Sequence, residues 1–350
     1  MATEQLERTP APAAPREGRL RRVLRGNEVT LAAVLVAAWI VLSLLYPEFR
    51  TLGNLQNVLA GVAMVAIVGV GMTMVILTGG IDVSVGSALA VCAVIVAKQV
   101  QAGASMPVLI LIALLCGLAL GAFNGLAIAY GRVAPIITTF ATLNLFRFVA
   151  LEIFDDKQLN GVPSTLGWFS GLGRTAGIPN AWWLAMAFTV VAWWYLRQYA
   201  SGRHLFAIGS NRDTAHFAGI RVARREFTAY LVTGLLVGVA SLVAVGNGGV
   251  IQPNVGTGFE LQVIGAVVIG GTSILGGRGS VVGTLLGAAL VGTVRSALVV
   301  SGSKALLADF FLGLFILAAV GIDLYRQKRE ARQLRTRLAL AAPSGREESR

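Results

Sequence analysis

The side chains that most enzymes use for catalysis are scarce in this sequence of 350 residues. Two histidines, His204 and His216, lie in one polar stretch, and two cysteines, Cys92 and Cys116, lie within apolar runs. A Ser/His/Asp set, a Cys/His set or a zinc site needs these residue types close to one another. The sequence therefore predicts a protein that is not an enzyme and that holds no metal or cofactor.

A nucleotide site is not predicted either. A phosphate-binding loop of the type G-x-x-x-x-G-K-[ST] needs a lysine and a hydroxyl after its second glycine. The nearest run, GTSILGGR over residues 271–278, lacks both of them at that point. If the protein uses ATP, we expect another subunit to bind it.

The polar residues are instead set among long apolar segments. The chain is 55% hydrophobic and only 13% charged, with a mean hydropathy of +0.73, whereas a soluble domain is about 25% charged. Apolar runs of about 20 residues predict membrane-spanning helices, so we expect an all-α polytopic membrane protein. The ten predicted spans cover residues 29–46, 58–78, 83–100, 108–130, 134–151, 182–196, 227–246, 260–275, 281–301 and 306–322.

The formal charge of +12 predicts the orientation of these spans. Most of the arginines and lysines fall in residues 1–28, 197–226 and 326–350, and an even number of predicted spans separates these stretches. Since basic loops stay in the cytoplasm, both termini are predicted to be cytoplasmic, around a membrane domain over residues 29–325. The positive charge thus indicates topology and not nucleic-acid binding.

Two glycine-rich breaks, residues 78–87 and 270–280, join adjacent spans with almost no loop. Irregular backbone at membrane depth is tolerated only where it is buried in protein or lines a cavity. Asp82 and Ser84 therefore have two interpretations, as caps of the next helix or as residues of a translocation path. Near the opposite membrane face, the polar residues beside a span are further path candidates, although the last of them can simply start its helix. These residues are Gln252, Asn254, Thr257 and Glu260.

Two arginines lie inside otherwise apolar spans, where a charge is costly. We expect Arg147 and Arg295 to face the interior of the bundle, paired with acidic groups such as Glu152 or Asp309. A role in lining the path is the alternative that the sequence leaves open.

The basic loop over residues 197–226 contains the signals of a short helix. Ser210 or Asn211 suits its N-cap, Asp213 its first turn and Gly219 its left-handed end. A helix of about two turns is not stable alone. It must pack on the spans of this chain or on a partner protein.

Four motifs in order along the chain resemble the permease subunits of bacterial ABC importers for ribose-type monosaccharides. They are GGIDVSVGSALA, GRHLFAIGSNRDTAHFAGI, GTGFELQVIGAVVIGGTSILGGRGSVVGTLLGA and DFFLGLFILAAVGIDL, and together they extend over roughly residues 29–325. Within that family, the runs IDVSVGS, IQPNVGTGFEL and ALLADFFLGLF are most similar to the branch that imports autoinducer-2 or rhamnose.

The resemblance implies partners as well as a fold. It implies an inner-membrane permease that pairs with a second permease subunit, with cytoplasmic ATPase subunits and with a periplasmic solute-binding protein. It also implies that residues 209–220 form the helix that couples the permease to the ATPase. The matching positions are Gly209, Asn211, Asp213, Ala215, Phe217 and Gly219.

A stand-alone secondary transporter or channel for a small polar solute is the alternative function. Such a protein would need ion-coupling carboxylates or a selectivity ring at mid-membrane. Acidic residues within the predicted spans are few, so the sequence favours the importer subunit.

Overall fold

The computed structural model describes residues 27–155, 157–162, 164–169, 173–247, 249–303 and 306–341. The first five helices of the described chain are α1 (Asn27–Leu45), α2 (Leu52–Leu77), α3 (Val85–Gln101), α4 (Met106–Ala129) and α5 (Pro135–Phe154). The next four are α6 (Asn180–Gln198), α7 (Ala200–Ser210), α8 (Arg212–Phe217) and α9 (Val222–Gly246). The last three are α10 (Phe259–Ile269), α11 (Val281–Val300) and α12 (Leu306–Ala341).

Each of the predicted spans coincides with one of these helices. Seven of the helices are long and apolar enough to cross a membrane, and α3 and α10 are shorter apolar helices. The segment predicted over 260–275 is wrong at its end, because α10 stops at Ile269 where Gly270 and Gly271 turn the chain. The last predicted span continues without a break through the basic tail to Ala341. The N-terminal extension predicted over residues 1–28 lies almost entirely outside the described residues.

The core is built from the helices that follow the two glycine-rich breaks and from their neighbours. Helix α2 is 78% buried over its span window, and it packs on α6, α9, α10 and α11. Helix α3 is buried along most of its length between α5 and α9. By contrast, α1 is exposed along its span window and rests on α11. A buried centre and an apolar exposed rim are what a helix bundle surrounded by lipid requires.

Helices α4 and α9 approach so closely that their backbones touch. A β-carbon on Gly117 would collide with the carbonyl oxygen of Gly234, and one on Gly121 would lie 2.9 Å from the Gly234 Cα. The glycines at every fourth position therefore form the small-residue seam that membrane helices use to pack. The same spacing in α11 places Gly283 against Gly270.

Four short strands lie in the connections between spans and were not predicted from the sequence. Strand β1 (Leu159–Val162) pairs antiparallel with β4 (Gly249–Ile251). Strands β2 (Arg174–Thr175) and β3 (Ile178–Pro179) form a hairpin whose turn residues Ala176 and Gly177 both have positive φ. The β1–β4 pair joins the α5–α6 connection to the α9–α10 connection, whereas the β2–β3 hairpin lies within the α5–α6 connection.

We predict that Gly234→Val destabilises the packed bundle. The added side chain would push α9 away from Gly117 and Gly121, and overpacking of this kind costs about 1–3 kcal/mol or more. Thermal denaturation of the detergent-solubilised protein, followed by size-exclusion chromatography, measures the effect. Gly313→Val in α12 is the matched control, because nothing lies within 4 Å of a β-carbon there. Equal melting of the two variants would contradict the seam.

Candidate functional site

Three segments that are distant in sequence meet at the ends of the spans. The Leu77 carbonyl oxygen, at the end of α2, accepts a hydrogen bond from the Gly277 N–H at 3.1 Å. Gly209 of α7 presses against both groups, since a β-carbon on it would collide with Leu77 O and Gly277 N. A β-carbon on Gly277 would in turn lie 2.6 Å from Ser210 Oγ. We call this backbone contact of residues 77–80, 276–277 and 209–210 the span-end junction.

The short helix predicted over residues 209–220 is shorter in the structure. Helix α8 begins after Asn211, whose Oδ1 accepts a hydrogen bond from the Thr214 N–H at 2.8 Å, and it ends at Phe217. Asp213 lies in its first turn, and Gly219 has a φ of +78°. Gly209 belongs to α7 and not to this helix, because Asn211 is extended and separates the two.

Helix α8 is held to the spans on one side and exposed on the other. Ala215 is buried in a small cluster with Ile208, Val222 and Ile220. Phe217 points away from this cluster with 88% of its surface exposed. An exposed aromatic side chain on a fixed helix is typical of a binding surface.

An ion pair also fixes α8 to α9. The Arg212 guanidinium donates to both oxygens of Glu226, with Nη1 2.8 Å from Oε1 and Nη2 3.0 Å from Oε2. Because Glu226 is only 4% exposed, its carboxylate charge is stabilised by this bidentate contact with Arg212. The sequence analysis did not predict this pair, although Arg212 and Glu226 lie only 14 residues apart, on either side of Gly219.

A cleft of about 930 Å³ opens between α8 and the connection from α4 to α5. Arginines from both sides line it, together with Asp213 and His216 of α8. The cleft thus adjoins α8, and its lining is mostly apolar but carries four arginines. The arginines are Arg132, Arg212, Arg221 and Arg224.

Asp82 and Ser84 are buried and bonded to each other. The Asp82 Oδ1 accepts from the Ser84 N–H at 2.9 Å and from the Ser84 hydroxyl at 2.6 Å. The Asn124 amide of α4 donates to Ser84 Oγ at 2.8 Å, and Asn124 Oδ1 has no partner among the described residues. Asp82 thus forms a turn with Ser84 directly before α3, and the Ser84 side chain, at the N-cap position of this helix, makes no capping hydrogen bond. The sequence analysis did not single out Asn124, although an amide side chain within an apolar predicted span is a signal of a buried polar contact.

The second set of path candidates lies at the first turn of α10. Glu260 packs beside Gly86 of α3 and interacts electrostatically with Arg147 of α5. Arg147 donates to the Val255 carbonyl oxygen at 2.8 Å, and the acidic group with which it interacts is Glu260, which was not among the partners named for it from the sequence. Gln252, Asn254 and Thr257 are exposed on the successive turns that precede α10.

Asn144, which sequence reasoning missed, extends this polar surface to the middle of α5. It lies ten residues into a helix of 20 residues, is exposed, and donates to the Phe140 carbonyl oxygen at 2.9 Å. Arg295, by contrast, donates to Gln262 at 2.9 Å and lies 3.6 Å from Asp309, one of the acidic partners expected for it. We call Asn144, Arg147, Gln252, Asn254, Thr257 and Glu260 the polar face.

The family model described as "Branched-chain amino acid transport system / permease component" matches residues 54–320. The ribose import permease protein RbsC of Escherichia coli (strain K12) is 38% identical over 86% of this chain and 94% of its own length. RbsC of Bacillus subtilis (strain 168) is 38% identical over 81% and 88%. The autoinducer 2 import system permease protein LsrC of Salmonella typhi is 32% identical over 87% of each. No solved structure matches the chain.

These matches confirm the family that the four motifs indicated, and they do not support a stand-alone transporter or channel, since the matched proteins are permeases of import systems. The chain therefore belongs to this family of transport-system permease components, and it is a membrane-spanning permease subunit of the ABC-importer type and not an enzyme.

Proposed function

We propose that this permease imports a monosaccharide or a sugar-like solute across the bacterial inner membrane, with ribose ahead of autoinducer-2 and rhamnose. Identity is higher to the ribose permeases, at 38%, than to the autoinducer-2 permease, at 32%. That order moves the proposed solute away from the branch that the sequence motifs favoured. Both ligand types carry several hydroxyl groups, which the amides and the carboxylate of the polar face would bind.

The observation that carries the proposal is the contact of Gly209 and Ser210, at the end of α7 directly before α8, with Leu77 and Gly277 at the glycine-rich breaks. A cytoplasmic ATPase that binds Phe217 and the neighbouring cleft would push on α8, which the Arg212–Glu226 pair and Ala215 fix to the spans. The push would reach α2 and the loop before α11 through Gly209, because no side chain separates these backbones. ATP binding could then change the arrangement of the spans by its differential contact with two states.

The proposed partners follow from the two ends of the bundle. Helix α8, both termini and the basic loop lie on the cytoplasmic side, where excess arginine belongs, and two ATPase subunits dock there. A periplasmic solute-binding protein docks on the opposite end, which carries the short strands. A second permease subunit, identical or different, completes the path. Nucleic acid is not a partner.

The proposed path runs along the polar face. An amide exposed at the middle of a span is costly against lipid, so Asn144 faces water or the second permease subunit. Asp82 and Ser84 have a supporting role in this proposal. They hold the start of α3, whose Gly86 contacts Glu260 and the Gly256 carbonyl oxygen.

The solute is tested with the assembled complex in proteoliposomes, together with its own binding protein. We expect ATP-dependent uptake of radiolabelled ribose that exceeds uptake of rhamnose at equal concentration. Saturable uptake of rhamnose or autoinducer-2 without any uptake of ribose would overturn the proposed order of solutes. Uptake without ATP would overturn the importer mechanism itself.

Phe217→Ala is expected to uncouple ATP hydrolysis from transport. Loss of an exposed aromatic anchor weakens protein docking by about 2 kcal/mol or more, which is roughly 30-fold in affinity. ATP-driven uptake and ATP hydrolysis are measured on the same proteoliposomes, and the amount of solute taken up per ATP hydrolysed should fall. Phe310→Ala is the control, since Phe310 is 63% exposed on α12. Normal uptake by Phe217→Ala would contradict the role of α8.

Asn144→Cys is expected to react with a water-soluble thiol reagent from the path. The variant is made in a chain with Cys92 and Cys116 replaced by alanine, and labelling is read by mass spectrometry. Val190→Cys is the matched control, because Val190 is exposed at the middle of α6 and belongs to the lipid rim. Equal labelling of both cysteines, or of neither, would contradict the proposed path.

A further inference from the structure

A second cavity lies on another side of the bundle from the polar face. It has a volume of about 350 Å³ and opens between α2, α6 and α9. None of the described residues that line it belongs to the polar face, which lies on α5 and on residues 252–260. We call this cavity the α6 groove. Its lining includes Val70, Met74, Phe188, Val191, Leu236 and Arg225.

The groove is apolar except at one end. Arg225 lies one turn into α9, beside Leu205 of α7, and both residues line the end nearest to the span-end junction. The Arg225 Nε is buried and has no hydrogen-bond partner among the described residues. A guanidinium N–H in this state is costly unless an acceptor reaches it. This end of the groove therefore suits a ligand that carries an anionic oxygen.

The aromatic residues of α6 place that end at the level of the lipid headgroups. Trp193, Trp194 and Tyr199 are exposed near the C-terminal end of α6, and the Arg197 guanidinium lies 5.0 Å from the centroid of the Trp193 ring. Tryptophan and tyrosine are enriched at the membrane–water interface. Below this belt, Val190 and Val191 expose more than half of their surface, as lipid-facing residues do.

We propose that the α6 groove binds one anionic phospholipid, with its phosphate on Arg225 and an acyl chain along the apolar wall. Arginine presents parallel N–H donors that suit a phosphate, and basic pockets between spans are known binding sites of anionic lipids. The apolar wall supplies the second requirement, because Val70, Phe188 and Leu236 give an acyl chain the same surroundings as the bilayer. A bound lipid at this place would press on α7, which contains Gly209 near its C-terminal end.

Lipid retention by the purified full-length chain tests the proposal. The protein in detergent is titrated with dioleoyl phosphatidylglycerol or dioleoyl phosphatidylcholine, and bound lipid is counted by native mass spectrometry. Wild-type protein should retain phosphatidylglycerol in preference. Arg225→Gln should weaken its retention roughly tenfold, the order expected for one charged hydrogen bond. Arg224→Gln is the matched control, since Arg224 is the exposed neighbour that lines the cleft of α8 instead.

A second variant tests the apolar wall without touching the charge. Val191→Trp fills the groove from a side chain that is 60% exposed, so folding is not at risk, and it should abolish retention of phosphatidylglycerol. Equal retention of both lipids by wild-type protein would overturn the proposal, and so would unchanged retention by Arg225→Gln. Loss of the ATPase from the assembled complex in Arg225→Gln, with lipid retention unchanged, would assign the groove to a protein partner and would also overturn it.

Discussion

The contact of Gly209 with Leu77 O and Gly277 N is the constraint on which the rest of the site depends. Three backbone segments can approach one another to van der Waals distance only where no side chain lies between them. Because α8 begins immediately after Asn211, its position is set by this contact, by Ala215 and by the pair of Arg212 with Glu226. The exposed side of α8, on which we propose that an ATPase docks, and the ends of the spans therefore belong to one packed unit.

The buried polar groups of the bundle divide into two kinds by their partners. Asp82, Ser84 and the Asn124 amide nitrogen are joined by hydrogen bonds in the buried interior, whereas Asn124 Oδ1 has no partner among the described residues. Arg147 and Glu260 are only half-buried and sit beside exposed amides. The first group stabilises the start of α3 and the second is available to a solute. Gly86, which touches Glu260 from the first turn of α3, connects the two groups.

The membrane helices, the glycine seam and the cap of α8 could all be predicted from the sequence, because hydropathy, small-residue spacing and capping are local signals. The span-end junction could not, since it joins residues 77, 209 and 277 through tertiary contact alone. For the same reason Gly209 was assigned to the short helix, whereas it packs on the ends of two spans. Asn144 and Asn124 gave a sequence signal, but only the structure separates an exposed amide from a buried one.

The account is tested most directly by the distance between α8 and the span-end junction in two states of the assembled importer. Spin labels at Thr214→Cys, on α8 beside the proposed docking residues, and at Leu275→Cys, both exposed positions, are measured by pulsed electron–electron double resonance without nucleotide and with ATP trapped. If the unit is rigid, the distance within one chain stays the same while the distance between the α8 helices of the two permease subunits changes. A change of the distance within the chain on ATP binding would contradict the account.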